Sequence, residues 1–254
     1  MSTPSPAARY LELLVAGRVE DVATLFVGDP LVDDPLVGRV RGRAELARLV
    51  RHGHGWLDEA AATIEDVVET RAPERAVAEA TLGLVLEGGA VDLPVCVVAD
   101  LAGGGATALR VYHSTWPLSG AHAVRPQLLP GREVELPPPV DAYQAALAAG
   151  DVEAIVACFE PDGAFREPAG GAYRHVGRAG LARGYADLLA TGGGIPLVHC
   201  TVTDDGSRCA VEYAVVRWGP VELPPQAGVA VYERGGTGLL REARVYDDVD
   251  PPAS

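Results

Sequence analysis

The sequence predicts an α+β protein in which one domain is built twice along a single chain. Three observations lead there. First, residues 8–35, ARYLELLVAGRVEDVATLFVGDPLVDDP, return as residues 141–168, DAYQAALAAGDVEAIVACFEPDGAFREP. The copies align without a gap, 133 positions apart: Tyr10 with Tyr143, Gly17 with Gly150, Val19 with Val152, Phe26 with Phe159, Asp29 with Asp162, Pro35 with Pro168. Second, each half passes from helical periodicity to strand periodicity, the order of an α+β domain. Third, later landmarks recur in the same order: Gly42-Arg43 and Gly177-Arg178, Glu79 and Glu212, Asp92-Leu93-Pro94 and Glu222-Leu223-Pro224, Arg110-Val111-Tyr112 and Arg244-Val245-Tyr246. Small loop insertions account for the drift in offset, and the ordered recurrence marks an internal duplication.

In the first half, Tyr10, Leu13 and Leu14 stand at helical spacing over residues 8–16, and Gly17 ends that turn. A second short helix is expected from about Glu20 to Phe26. Two X-Pro steps make 28–41 extended and loop-like. Gly42-Arg43 opens a third helix carrying Leu46, Leu49 and Val50, expected to end at the glycines of His52-Gly53-His54-Gly55. Val67–Arg71, Arg75–Leu86, Val91–Asp100 and Thr107–Trp116 then read as antiparallel strands joined by Gly-rich turns.

The second half repeats the order. Helices are expected at 140–149 and 152–159, followed by a loop at Glu167-Pro168 and a third helix from Gly177 with Leu181, Tyr185, Leu188 and Leu189. Strands follow at Val198–Asp204, Arg208–Trp218, Gly228–Glu233 and Leu240–Asp247. Between the halves, the proline-rich stretch 119–139 reads as a semi-rigid linker with one short strand at Arg132–Leu136. The expected domains are therefore 1–118 and 140–254.

Composition narrows the function. Among 254 residues the net charge is −14, and all basic residues are arginine. Such a chain repels a phosphate backbone and anionic lipid, so neither nucleic acid nor membrane is an expected partner. The apolar run from Thr81 to Val98 is broken by Glu87, Gly88, Gly89, Asp92 and Pro94 and cannot cross a bilayer as a helix. The start, MSTPSPAARYLE, shows no signal pattern. Cys96, Cys158, Cys200 and Cys209 form no CxxC and fall in apolar runs, as reduced core thiols do. A soluble, cytoplasmic protein is expected.

The helix-Gly-Asp-Val-helix opening, the Phe–Asp–(Glu/Asp)-Pro segment, the Gly-Arg helix start and the closing Arg-Val-Tyr-Asp-Asp strand together resemble the SnoaL-like branch of the NTF2-like superfamily. The resemblance covers nearly the whole chain, twice, and is closer in the second half. It implies two cone folds, each of three helices and a curved antiparallel sheet around an apolar pocket, paired within the chain as a pseudo-dimer. The family includes polyketide cyclases, ketosteroid isomerases, epoxide-opening enzymes and members with no known reaction, so fold does not settle function. It implies a cofactor-independent enzyme doing acid/base cyclisation, isomerisation or epoxide opening on a small apolar oxygenated molecule. The rival expectation is a non-catalytic ligand-binding or assembly module.

In such a pocket, desolvation raises a carboxyl pKa towards neutrality and fits it for proton transfer. Glu167, Glu212, Asp247 and Asp248 are the second-half carboxyls to weigh. Asp248 matches the position where similar cyclases carry an Asp, two residues after Tyr246 and so on the same strand face. It is either the general acid/base or an exposed strand-end carboxylate, and its first-half match is Ser114. Tyr246 and His199 are candidate hydrogen-bond partners, and Glu167 a residue of the pocket rim or a holder of loop N–H groups. Glu212 lies mid-strand, costly if buried without a partner. Tyr143, Tyr213, Trp218, Tyr232 and Tyr173 are candidate aromatic lining, or ordinary core. His52-x-His54 and His175 lack a third ligand at useful spacing, so no metal site is expected.

Overall fold

The computed structural model describes residues 3–251. The chain divides into two compact units, one running to Ala121 and one starting at His122. In the first, α1 (Pro6–Val15) and α2 (Val19–Thr24) precede a hairpin of β1 (Leu31–Asp34) and β2 (Gly38–Arg41), then α3 (Gly42–Glu59). Strands β3 (Thr63–Ala72), β4 (Arg75–Leu86), β5 (Gly89–Ala102) and β6 (Gly105–Tyr112) follow, and a short helix, α4 (Trp116–Ser119), ends the unit. The second unit repeats the plan with α5 (Pro138–Ala149), α6 (Val152–Ala157), β7 (Phe159–Arg166), β8 (Arg174–Val176), α7 (Gly177–Leu188), β9 (Leu197–Asp204), β10 (Arg208–Trp218), β11 (Val221–Arg234) and β12 (Leu240–Asp247).

Each sheet has six strands, in the orders β2-β1-β6-β5-β4-β3 and β8-β7-β12-β11-β10-β9. They are mixed, not antiparallel as expected, because β1 runs parallel to β6 and β7 parallel to β12. The pairings that make them so join residues far apart in sequence, which no local pattern displays. The stretch expected to be loop-like, 28–41, is the β1–β2 hairpin, closed by an Asp34 carboxylate that accepts from the amides of Leu36 and Val37. Likewise Phe159 starts a strand instead of ending a helix.

Local chemistry explains the helix ends. Ser5 caps α1, its hydroxyl accepting from the Ala8 amide, and Asp151 caps α6 through the Ala154 amide. Gly17 and Gly150 stand at φ values of 65° and 72°, left-handed conformations that glycine adopts without a Cβ penalty. Helix α3 runs past Gly53 and Gly55 to Glu59. Two helical glycines cost about 1 kcal/mol each, offset by burial of Leu46, Leu49, Val50 and Leu57. Close packing also favours Gly53, since a Cβ there would stand 3.2 Å from the Leu14 side chain. His54 donates from Nδ1 to the Val15 carbonyl at 2.9 Å, so it closes the end of α1 instead of its own helix.

Residues 122–137 form no strand at 132–136. They lie along the second unit's sheet as a strap. Ala227 donates to the Arg125 carbonyl, Gln127 to that of Pro225, and Arg132 to that of His199. The last bond occupies part of the β9 edge, which would otherwise present unpaired backbone groups. From His122 on, the stretch expected as a semi-rigid linker groups with the second unit. Two separate apolar cores fill the space between helices and sheets, one around Tyr10, Val22, Leu46 and Leu109, the other around Tyr143, Phe159, Leu181 and Tyr185. All four cysteines are thiols.

Candidate functional site

The candidate site is a polar cluster set into the second core. Alternation along β10 sends Val211, Tyr213 and Val215 to the core face, and along β12 it sends Ala243 and Val245 there. Asp247 continues that set. The register places His199, Tyr213, Gly228 and Asp247 side by side across β9, β10, β11 and β12. Gly228 is what lets this row work. A Cβ there would lie 2.6 Å from the Tyr213 ring and 2.8 Å from the Asp247 Cβ. Without it, the Tyr213 ring passes over β11 and its hydroxyl donates to Asp247 Oδ2 at 2.8 Å.

The helices close the cluster from the other side. Tyr143 and Gln144 of α5 and Tyr185 of α7 point into the core. The Tyr143 and Tyr185 hydroxyls are 2.8 Å apart, and Gln144 donates from its amide nitrogen to the Tyr232 hydroxyl at 2.6 Å. Gln144 Oε1 stands 3.4 Å from His199 Nε2, the long end of a hydrogen bond. The rings support one another: Tyr143 meets Phe159 edge-on at 5.8 Å, and Tyr185 stacks on Phe165 at 4.7 Å.

Electrostatics follow from this burial. Asp247 keeps partial solvent access as a residue, yet protein surrounds its carboxyl, and desolvation pushes its pKa up to about 6. The Tyr213 hydroxyl and the Val249 amide oppose that rise, while the Asp248 charge adds to it. Desolvation also holds the hydroxyls of Tyr213, Tyr232, Tyr185 and Tyr143 protonated well beyond the ordinary phenol range. Burial lowers His199, partly countered by Asp141, and favours the neutral imidazole. At neutral pH the cluster thus presents one carboxylate with a high proton affinity among hydroxyl donors.

The structure separates the sequence candidates. Tyr143, Tyr213 and His199 come together, and with them Tyr232. Asp248 and Tyr246 face the other side of β12. The Asp248 carboxylate accepts from the Ala123 amide at 2.7 Å and pairs with His122 Nδ1 at 2.9 Å, so it fastens the start of the strap. Tyr246 lies beneath the Arg166 guanidinium, 4.5 Å from the ring centroid. Glu212, opposite in alternation to Tyr213, accepts from Thr201 Oγ1 at 2.6 Å. Glu167 pairs with His175 Nε2 at 2.6 Å. Trp218 packs at the core margin and donates to the Leu188 carbonyl, while Tyr173 is exposed.

The carboxyl aimed into the core is therefore Asp247, one residue before the expected Asp248. The expectation took Tyr246 to face inward, whereas the small apolar residues Ala243 and Val245 mark the inner set. Gln144 and Tyr185 were not among the site candidates. Glycine at position 228, directly before the Val229-Ala230-Val231 strand run, was the available signal for a close approach. Among the described residues no three His, Cys, Asp or Glu side chains gather to hold a metal ion, and no helix is long and apolar enough to cross a membrane.

The chain is similar to known proteins both in structure and in sequence. Solved structures similar to the chain include a cystatin-fold protein from Novosphingobium aromaticivorans, 20% identical, covering 42% of this chain and 93% of its own, with a TM-score of 0.37. Another is a candidate polyketide cyclase from Xanthomonas campestris, 21% identical over 44% of this chain and 89% of its own, TM-score 0.37. A third, from Catenulispora acidiphila, is a hypothetical protein with a ketosteroid isomerase-like fold, in complex with trimethylamine. It is 21% identical over 48% of this chain and 97% of its own, TM-score 0.37. No curated protein matches in sequence. The SnoaL-like domain model matches residues 7–109 and again residues 140–239. The two matches fall one in each folded unit, and the chain belongs to the SnoaL-like domain family, carrying that domain twice.

Proposed function

We propose that the second unit is a cofactor-independent acid–base catalyst for a small, mostly apolar molecule bearing oxygen. The observation that carries this reading is the Asp247 carboxyl, desolvated to a pKa of about 6 and facing the Tyr213 hydroxyl. A base with such a pKa is largely ionised at neutral pH, yet holds a proton far better than an exposed aspartate. Asp247 would take a proton from carbon beside a carbonyl. Protonated hydroxyls of the Tyr143–Tyr185 pair, or the His199 imidazole, would donate to the oxygen on which charge develops. Return of the proton elsewhere on the carbon skeleton gives isomerisation. Attack by the carbanion on a second carbonyl gives cyclisation, and a protonated Asp247 would assist epoxide opening.

A second reading is a binding module without chemistry. It draws on the hydrogen bonds the cluster already makes to itself, Gln144 to Tyr232 and Tyr143 to Tyr185. Ring opening of 5-nitrobenzisoxazole, a generic probe for a desolvated base, separates the two. Catalysis that rises with pH through about 6, disappears in Asp247→Asn and survives in Asp248→Asn supports the catalyst. Absence of catalysis, or equal rates in Asp247→Asn, supports the binding module.

A further inference from the structure

We infer that the first unit carries a separate surface site for a small carboxylate with a short apolar tail. This goes beyond the proposed chemistry, which lies in the other unit. A cleft of about 310 Å³ lies between β2 and one face of α3, at the lower end of the range for small-molecule sites. Its floor is the buried pair Val40 and Leu49, and Val37, 53% exposed, forms a wall. Glu45, Arg48, Leu49 and His52 stand at i, i+3, i+4 and i+7, so α3 presents them together.

Charge selects the ligand. Arg39 is committed to Asp33 by two hydrogen bonds, at 2.8 and 3.1 Å. Glu45 accepts from the Arg41 amide at 2.8 Å and stands 3.6 Å from Arg48. That long contact leaves the Arg48 guanidinium, 70% exposed, able to turn to a better acceptor, with His52 one turn beyond. One exposed guanidinium and an imidazole above an aliphatic floor suit a monoanion with a hydrocarbon tail. Glu45 on the same wall disfavours a dianion. The net charge of −14 does not forbid this, since distant charges are screened beyond about 8 Å at physiological salt.

The duplicate shows that the fold does not require such a cleft. The matching positions in the second unit carry His175 for Val40, Gly184 for Leu49 and Asp187 for His52. There the His175 ring fills the space, so close to α7 that a Cβ on Gly184 would stand 2.5 Å from it, and Glu167 pins it. The second copy is plugged; it keeps an arginine, Arg183, in place of Arg48, and carries Gly180 and Asp187 where the first has Glu45 and His52. The first is open above its aliphatic floor, with Arg48 at the rim.

The test is a titration of the intact chain with hexanoate, followed by amide shifts in a two-dimensional NMR spectrum. Saturable shifts at Val37, Leu49 and His52 with a millimolar Kd are expected. The uncharged 1-hexanol and inorganic phosphate should each bind about tenfold more weakly, as should hexanoate to the double variant Arg48→Glu/His52→Asp. Both substituted side chains are at the surface, and an unchanged melting temperature verifies the fold. The inference is overturned by no saturable shift at these residues, by equal binding of 1-hexanol or phosphate, or by undiminished binding to the double variant.

Discussion

The interiors of the two units differ far more than their frames. Matching sheet registers pair Tyr213 with Ala80, Gly228 with Val95 and Tyr232 with Ala99. On the helices, Gln144 corresponds to Leu11 and Tyr185 to Val50, while the position of Asp247 is taken by His113. Where the second unit builds a carboxyl–hydroxyl cluster, the first packs aliphatic side chains. Tyr10, the counterpart of Tyr143, is buried with no hydrogen-bond partner for its hydroxyl among the described residues. Both cores satisfy the same helices and strands. The comparison shows which polar groups the fold does not require: burying them costs stability unless each finds a partner. Their presence in one copy alone is what points to function there.

Substitutions in either unit test that contrast. The largest effect is expected for Asp247→Asn, which should lower base-catalysed ring opening of 5-nitrobenzisoxazole by about 10²–10⁴-fold, the usual contribution of a positioned base. Steady-state rates at pH 8 check it. Copying the first unit into the second at one position, Gly228→Val, drives a side chain into Tyr213 and Asp247. It should destabilise the second unit by about 1–3 kcal/mol, the range for overpacking, and break the Tyr213–Asp247 hydrogen bond. The reciprocal Val95→Gly should leave the ring-opening rate unchanged.

Stability should also depend on pH through Asp247. Folding raises this carboxyl from 3.8 to about 6, so the folded state binds the proton more tightly than the unfolded chain does. The stabilising effect of protonation is complete below about pH 4 and is lost as pH rises through about 6. Asp247→Asn, neutral throughout, should therefore gain about 2 kcal/mol over the parent protein at pH 8 relative to pH 4. Urea denaturation at the two pH values measures this difference. The smallest effect is expected at the strap. Asp248→Ala removes the acceptor of the Ala123 amide and should cost about 1–2 kcal/mol, with faster amide exchange at Ala123 and no loss of ring opening.

Much of this frame was legible in the sequence. Arg75–Leu86, Arg208–Trp218 and Leu240–Asp247 are strands with the bounds their alternation predicted, because turn glycines and aspartates punctuate them. The missed strands are β1, β2, β7 and β8: β1 and β7 join their sheets through partners far away in the chain, and β2 and β8 are short pieces that pair only with them. Helix α3 overran its glycines because packing against α1 outweighs propensity there. The site was half legible. Its residue types were visible as Tyr143, Tyr213, His199 and an Asp-Asp pair, but which aspartate faces inward depends on register. The pairing of Gly228 with Asp247 decides that register, and an extra residue, Cys200, on β9 brings His199 beside Tyr213; neither is a local property of the sequence.

The proposed chemistry rests on the raised proton affinity of Asp247, which carboxyl ¹³C NMR measures. Spectra of the intact protein and of Asp247→Asn, recorded from pH 3 to 9, identify the Asp247 resonance by difference. A titration centred near 6 is predicted. A midpoint near the ordinary aspartate value of about 3.9 would contradict it, because a carboxyl titrating there is solvated and not poised for proton transfer at neutral pH.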